Sequence, residues 1–333
     1  MTQLAVVPPA LAGYEWRAAG REDAPAIQEL YRTAGRVDGV ELRITLEDLY
    51  RELAGPAARN SLLALTADGR VAAYGVMAPP QATTHARQAL LRGEVEPAHR
   101  GLGLGSFVLA WLEARAAEAL EGVPGYGLPK VLRASSPIDL ADRIALLEGH
   151  EYRRIRYWDT LRRDLSRPFP EAKVPPGLEL LAWSRDWERS TMRAWEESFA
   201  ENWGHAPATF DEWQPTHSGD PAFREDLSFL MIDGAQVAGF SLSYLSPEEN
   251  AATGIEQGWI GQIGVRHSWR RRGLGTALVC RVLRAFREEA LDYATLDVDV
   301  DNPARAHRLY QRLGFERVRR TVFFAKQLQV QPR

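Results

Sequence analysis

Residues 99–109, HRGLGLGSFVL, and residues 270–280, RRRGLGTALVC, are two copies of one local pattern. In each, an arginine is followed after two residues by Gly-x-Gly and then by a run fit for a helix. Glycine permits the tight turn, and a helix start presents unpaired N–H groups and positive partial charge to an anion. The match extends on both sides. GEVEPAHRGLGLGSFVL (93–109) lies over IGVRHSWRRRGLGTALV (263–279), pairing Val95 with Val265, Arg100 with Arg270, Gly103 with Gly273 and Gly105 with Gly275. Further on, DLADRIALLEGHEY (139–152) lies over NPARAHRLYQRLGF (302–315). The first blocks are offset by 170 residues (270−100) and the second by 163 (302−139), so the first half carries about seven extra residues. EGVPGYGLPK (121–130), rich in Gly and Pro, reads as that insertion. A period this long is a domain duplication, not a solenoid.

The bulk numbers agree. A chain of 333 residues suggests two domains of about 150 residues, each able to bury a core. Hydrophobic content of 45% and charged content of 26% are ordinary for a soluble protein. A net charge of −3 argues against bulk nucleic-acid binding. The positive charge is nearly all arginine, with lysine only at Lys130, Lys173 and Lys326. The single cysteine, Cys280, excludes an internal disulfide and a thiolate metal cluster, and reads as a core thiol. MTQLAVVPPALAG at 1–13 lacks a basic start and is broken by prolines, so it is not read as a signal peptide. No run approaches the roughly 20 apolar residues of a membrane span. The expectation is a cytoplasmic protein.

A boundary is expected at RPFPEAKVPPG (167–177), whose four prolines make a stiff linker between a first domain, 1–166, and a second, 178–333. Both halves read alike: a short strand (YEWRAA; LELLAW), then a helix (REDAPAIQELYRTA; DWERSTMRAWEESFA). Next comes a hairpin turning at Asp-Gly (61–78; 227–245), then a strand into the Gly-rich turn and its helix (about 103–121; 273–290). A strand (130–134; 294–300), a helix (139–148; 303–313) and a last strand pair complete each half. The order is that of a mixed α/β sheet with helices on both faces.

The Gly-rich turn fits neither common nucleotide motif. A dinucleotide fingerprint needs Gly-x-Gly-x-x-Gly, and a P-loop needs Gly-Lys-Ser/Thr. Read alone, WRRRG is a solvated basic patch; two copies at matching places argue for more. Both halves resemble the GCN5-related N-acetyltransferase (GNAT) family, whose signature is Arg/Gln-x-x-Gly-x-Gly/Ala between a strand and a helix. Arg100–Gly105 and Arg270–Gly275 satisfy it, and NPARAHRLYQRLGF is similar to the family's second motif through Asn302, Tyr310, Gly314 and Phe315. The tandem arrangement is similar to that of the mycothiol synthases. The resemblance implies an α/β fold of two tandem GNAT-like domains, each a mixed, mostly antiparallel sheet.

It also implies acetyl-coenzyme A as co-substrate, with no metal. In the second half the pyrophosphate would meet Arg270, Arg271, Arg272, Gly273, Leu274, Gly275 and Thr276. The backbone of Ile263, Gly264 and Val265 would hold the thioester arm, and Asn302 would line the other wall. Tyr310 would protonate the departing thiolate, against a bland reading as a packing tyrosine. The first half keeps Val95, Arg100, Gly101, Gly103, Gly105 and Ser106, but has Leu147 for Tyr310, Asp139 for Asn302 and Glu151 for Gly314. Cofactor binding there stays open, and catalysis there is not expected.

The acceptor side is less determined. FAENWGHAPATFDEW (199–213) offers Glu201, Trp203, His205 and Asp211, beside Trp213, as an amine-holding mix of carboxylates and aromatics. Glu256 is a candidate base; a water chain to a backbone carbonyl is the alternative. The expected partner is a small-molecule amine rather than nucleic acid or membrane, and the sequence leaves oligomeric state undefined. The expected activity is acetyl-coenzyme A-dependent N-acetylation in the second half. The alternative is a non-catalytic acyl-coenzyme A sensor or scaffold.

Overall fold

The computed structural model describes residues 11–40, 44–83, 85–125, 127–171, 173–302 and 306–328. Residues 1–10 of the leading stretch, 172 in the Pro-rich stretch and 303–305 at the start of the expected last helix lie outside the described residues. Two compact units result: residues 1–155 with 322–333, and residues 156–321.

Unit 1 opens with β1 (Glu15–Arg17) and α1 (Ala24–Asp38). Pro25 starts α1 where a missing N–H costs nothing, and Gly39 at φ 65° ends it. Ile27, Leu30, Tyr31 and Ala34 recur at helical spacing and form its buried stripe. A further helix, α2 (Leu46–Ala54), was not anticipated; Thr45 and Asp48 form its capping box. The hairpin β2 (Ser61–Leu65) and β3 (Val71–Met77), the short β4 (Gln81–Ala82) and β5 (Arg87–Val95) lead to α3 (Leu104–Glu121). Then come β6 (Lys130–Pro137), α4 (Ala141–Gly149) and β7 (Arg153–Asp164).

Unit 2 repeats the plan with β8 (Glu179–Ala182), α5 (Glu188–Phe199), α6 (Phe210–Trp213), β9 (Phe223–Asp233), β10 (Gln236–Tyr244) and α7 (Pro247–Thr253). It continues through β11 (Gln257–Val265), α8 (Leu274–Glu288), β12 (Tyr293–Asp299), α9 (Ala306–Arg312) and β13 (Glu316–Gln327). Its larger core packs α8, through Leu278, Val282 and Phe286, on the sheet face that carries Ile260, Leu296 and Val298. A second cluster on the opposite face seats α5 against Phe240 and Leu242.

Strand order differs from a simple tandem reading. In unit 1 it is β1-β2-β3-β5-β6, with the end of β13 beside β6; Leu328 N–H donates to Lys130 O at 2.9 Å. In unit 2, β7 pairs antiparallel with β12, Trp158 opposite Asp299 through Asp164 opposite Tyr293, and β11, β10, β9 and β8 follow. Each half thus contributes its final strand to the other unit. The division falls inside β7, between Ile155 and Arg156, rather than in 167–177. The start of that Pro-rich stretch is held within unit 2: Arg163 donates to Pro168 O and Arg287 lies over the Phe169 ring. The expected last strand pair is one 12-residue strand in each half, since neither RRIRYWDTLRRD nor ERVRRTVFFAKQ contains Gly or Pro to turn the chain.

The seven extra residues divide in two. Helix α3 has 18 residues against 15 in α8. The following connection spans 122–129 against 289–292, four residues more. No helix among the described residues is long and apolar enough to cross a membrane.

Candidate active site

The strand β11 decides the geometry. It pairs in parallel with β12 only from Gln257 to Trp259, opposite Tyr293 to Thr295. On its other edge it stays paired with β10 as far as Val265. Beyond Trp259, its β12-side edge has no strand partner among the described residues. Just past that point Leu242 opposes Gln262 while Ser243 opposes Ile260, so Gly261 is the extra residue of a β-bulge. A Cβ on Gly261 would lie 2.4 Å from the Tyr244 ring, so only glycine fits the bulge. Gly264 is held to glycine likewise, with Phe240 2.6 Å from an added Cβ.

The strand runs into the signature turn. Gly273 has φ 90° and caps α8 with no side-chain hydrogen bond; the first N–H bonded back is that of Ala277, to Gly273 O. The N–H groups of Leu274, Gly275 and Thr276 thus open the helix toward any anion. Arg271 also has φ > 0, at 64°. Its side chain and that of Arg272 are exposed and make no ion pair among the described residues. Arg270 is engaged otherwise. Its Nε donates to Val265 O (3.1 Å), one Nη to Ser198 O (3.2 Å), and the other meets His267 (3.0 Å). It ties the turn to its strand. The turn requires φ > 0 at 271 and 273; Gly275, inside the helix, instead leaves room for Leu309, 3.4 Å from an added Cβ.

Tyr310 sits on α9, buried in the α8 core and edge-on to Phe315 at 5.7 Å. Burial pushes its hydroxyl well above the usual phenol range, so it carries its proton at neutral pH. Asn302 follows β12, its N–H bonded to Asp299 O at 3.1 Å.

The four acceptor candidates do not converge. Glu201 lies beside the turn, 3.4 Å from His267 and 3.9 Å from Arg270. Trp203 lies 5.5 Å from the Arg156 guanidinium, which pairs with Asp299. His205 is bonded to Glu196 (3.1 Å), whose other oxygen takes the Ala208 N–H, and so fixes the loop. Asp211 is exposed on α6, and Trp213 is core. Neighbouring Trp195 donates to Gln262 at 3.3 Å, next to the bulge. Glu256 precedes β11, five residues and about 16 Å of strand before Gly261. Its carboxylate lies 3.4 Å from the Asn250 amide.

The same turn in unit 1 is built alike and surrounded differently. Gly101 and Gly103 have φ 77° and 91°, Arg100 Nε bonds Val95 O at 3.2 Å, and Leu146 sits beside Gly105 as Leu309 does beside Gly275. Ser106 is exposed in the first turn of α3. Here, however, Arg100 is bidentate with Asp38 (2.6 and 3.0 Å) and reaches Glu94. Arg143 on α4 also bonds Glu94, which is buried where unit 2 has Gly264. The β3–β5 register is unbroken, so β5 has no bulge. Leu147 is buried at the Tyr310 position. Sequence reasoning missed this network, the Gly261 bulge, and a buried Asp159 that Arg320 grips at 2.6 and 2.8 Å. Only the Glu94–Gly264 mismatch within the aligned blocks signalled any of it.

The profile of the acetyltransferase (GNAT) family matches residues 158–315, from within β7 to the start of β13. A mycothiol acetyltransferase of Frankia alni is 30% identical over 325 residues, 92% of each chain. One of Geodermatophilus obscurus is 28% identical, covering 88% of this chain and 90% of its own. Among solved structures, a GCN5-related N-acetyltransferase from Sphaerobacter thermophilus superposes with TM-score 0.77 at 26% identity over 97% of both chains. A tandem GNAT protein from the clavulanic acid biosynthesis pathway shares the fold, with TM-score 0.67 at 17% identity over 96% of this chain and 100% of its own.

Proposed function

We propose, for a chain that belongs to the acetyltransferase (GNAT) family and is an acetyl-coenzyme A-dependent N-acetyltransferase, a single working site, in unit 2, that acetylates the amine of a small molecule. The observation that carries the reading is the contrast between the two clefts. Unit 2 has a bulged, open strand edge whose Ile263 and Val265 pack on the core that holds the protonated phenol of Tyr310; unit 1 has an unbulged strand, a leucine, and a turn arginine already neutralised by Asp38 and Glu94. In this reading the first half, 1–166, serves as a non-catalytic partner, and 178–333 supplies the reacting groups.

The residues divide the work. The N–H groups of Leu274–Thr276 and the charges of Arg271 and Arg272 hold the pyrophosphate of acetyl-coenzyme A. The open edge of Gly261–Val265 takes the pantetheine arm as an added strand, and a bulge N–H donates to the thioester oxygen as negative charge develops there. Tyr310 donates a hydrogen bond to the leaving sulfur. A phenol is less acidic than a thiol to begin with and burial widens the gap, so Tyr310 stabilises the thiolate rather than surrendering its proton outright. The relatives named mycothiol acetyltransferase support a small-molecule acceptor.

The test is incubation with acetyl-coenzyme A and a metabolite extract, reading the mass of products. A new acetamide of low molecular mass supports the reading. Cofactor binding without any acetylated product would return the chain to a sensor or scaffold role.

A further inference from the structure

Past the point where β11 and β12 part, the alternation of β12 puts a row of polar side chains on the face away from α8. We propose that Asp297, on β12, is the carboxylate that takes the proton from the acceptor's amine. The inference rests on unit 2 being the working site.

The strand's alternation sets the face. Leu296 and Val298 enter the α8 core, so Thr295, Asp297 and Asp299 project from the opposite side. Thr295 is the last β12 residue paired with β11, opposite Trp259. Gly261 lies two residues beyond Trp259 and Asp297 two beyond Thr295. Both therefore stand about 6–7 Å past the parting point, at one level across the opening. Thr160, opposite Asp297 in register on β7, donates its hydroxyl to one carboxylate oxygen at 2.6 Å. That bond fixes the side chain's direction. Asp297 is exposed, and its other oxygen faces no protein donor among the described residues. Asp299, one alternation further, is unsuited: its oxygens are taken by Arg156 and the Asp301 N–H. The same Arg156 lies against Trp203, so the acceptor segment reaches this end of β12. In the first half β6 parts from β5 after Arg133, so the residue two beyond the parting, as Asp297 is in unit 2, is Ser135, which carries no carboxylate.

The step balances without a further reactant. The amine nitrogen forms the C–N bond to the thioester carbon as the carbonyl electrons move to oxygen. Their return breaks the C–S bond, with the electron pair going to sulfur. Before attack Asp297 takes one proton from the incoming ammonium and passes it to solvent, freeing the nitrogen's electron pair; the second N–H proton, lost as the amide forms, goes by way of solvent to the departing thiolate, so coenzyme A leaves as the thiol.

The experiment uses Asp297→Asn in the full chain, with methylamine and methoxyamine as probes and thiol release as the readout. Methylamine is protonated at neutral pH and needs a base; methoxyamine is not. Transfer to methylamine should fall roughly 10²-fold, transfer to methoxyamine by well under half that on a logarithmic scale, and coenzyme A affinity should hold. Asp297→Glu should restore part of the methylamine rate. Equal losses for both probes, or no loss, would overturn the proposal. A second measurement needs no turnover. With carboxyl-¹³C aspartate, the signal lost in Asp297→Asn should shift when coenzyme A is added to the wild type. Coenzyme A binding that leaves this signal unmoved sinks Asp297 alone. Binding that survives Gly273→Val unchanged sinks the site reading itself.

Discussion

At the scale of single residues, the proposed site puts the test of its chemistry at position 310. Tyr310→Phe keeps the ring against Phe315 and removes only the hydroxyl. Coenzyme A affinity should hold, while kcat falls roughly 10²-fold in a thiol-release assay. Retained kcat would leave Tyr310 a packing residue. The matched positions Glu151 and Gly314 give a stability test. Both adopt left-handed backbone, φ 66° and 81°, but only one is glycine. Glu151→Gly should stabilise unit 1 by about 1 kcal/mol, read as a higher denaturant midpoint at unchanged slope. The sequence shows this substitution plainly, because an αL requirement follows from the glycine in the other copy. It does not show Asp297. Three aspartates alternate in LDVDVD, and only the register with Thr160 and Arg156 separates the one with a free oxygen from its neighbour.

At the scale of elements, the strand–turn–helix was legible because every requirement in it is local: an arginine, an αL glycine, a helix start. The dihedral requirement falls on Gly273, since Gly275 already lies within α8. Nothing crowds Gly273, but a β-branched residue at φ 90° is strongly disfavoured. Gly273→Val should therefore abolish acetyl-coenzyme A binding by calorimetry in a protein that still melts cooperatively. Binding at wild-type strength would detach the phosphates from this turn. The bulge at Gly261 was not legible. It is a mismatch of count between β10 and β11, and no spacing within WIGQIGV reveals it. Helix α2 was missed although TLED is a capping box and TFDE at 209–212 caps α6 in the second half the same way, because the aligned blocks began later in the chain.

At the scale of the molecule, the proposed reading gives the doubled signature one ligand site rather than two. Calorimetry should find one acetyl-coenzyme A per chain, and Gly103→Val, after a melt confirms folding, should leave that binding intact. Two equivalents, one of them lost in Gly103→Val, would show that Arg143 and Glu94 do not close the first cleft. The duplication was readable from paired blocks, but the exchange of β7 and β13 was not, because strand order depends on contacts far apart in the chain. That exchange bears on how the protein is made. Residues 1–155 leave the ribosome with β6 still lacking the strand that will cover its edge, and that strand is made only after residues 156–321. At about 5–20 residues per second the wait lasts roughly 10–30 s. Throughout it the nascent chain displays an unpaired strand edge, the kind of surface that seeds aggregation. Completion of the first-made unit is thus set by the clock of translation rather than by its own folding rate.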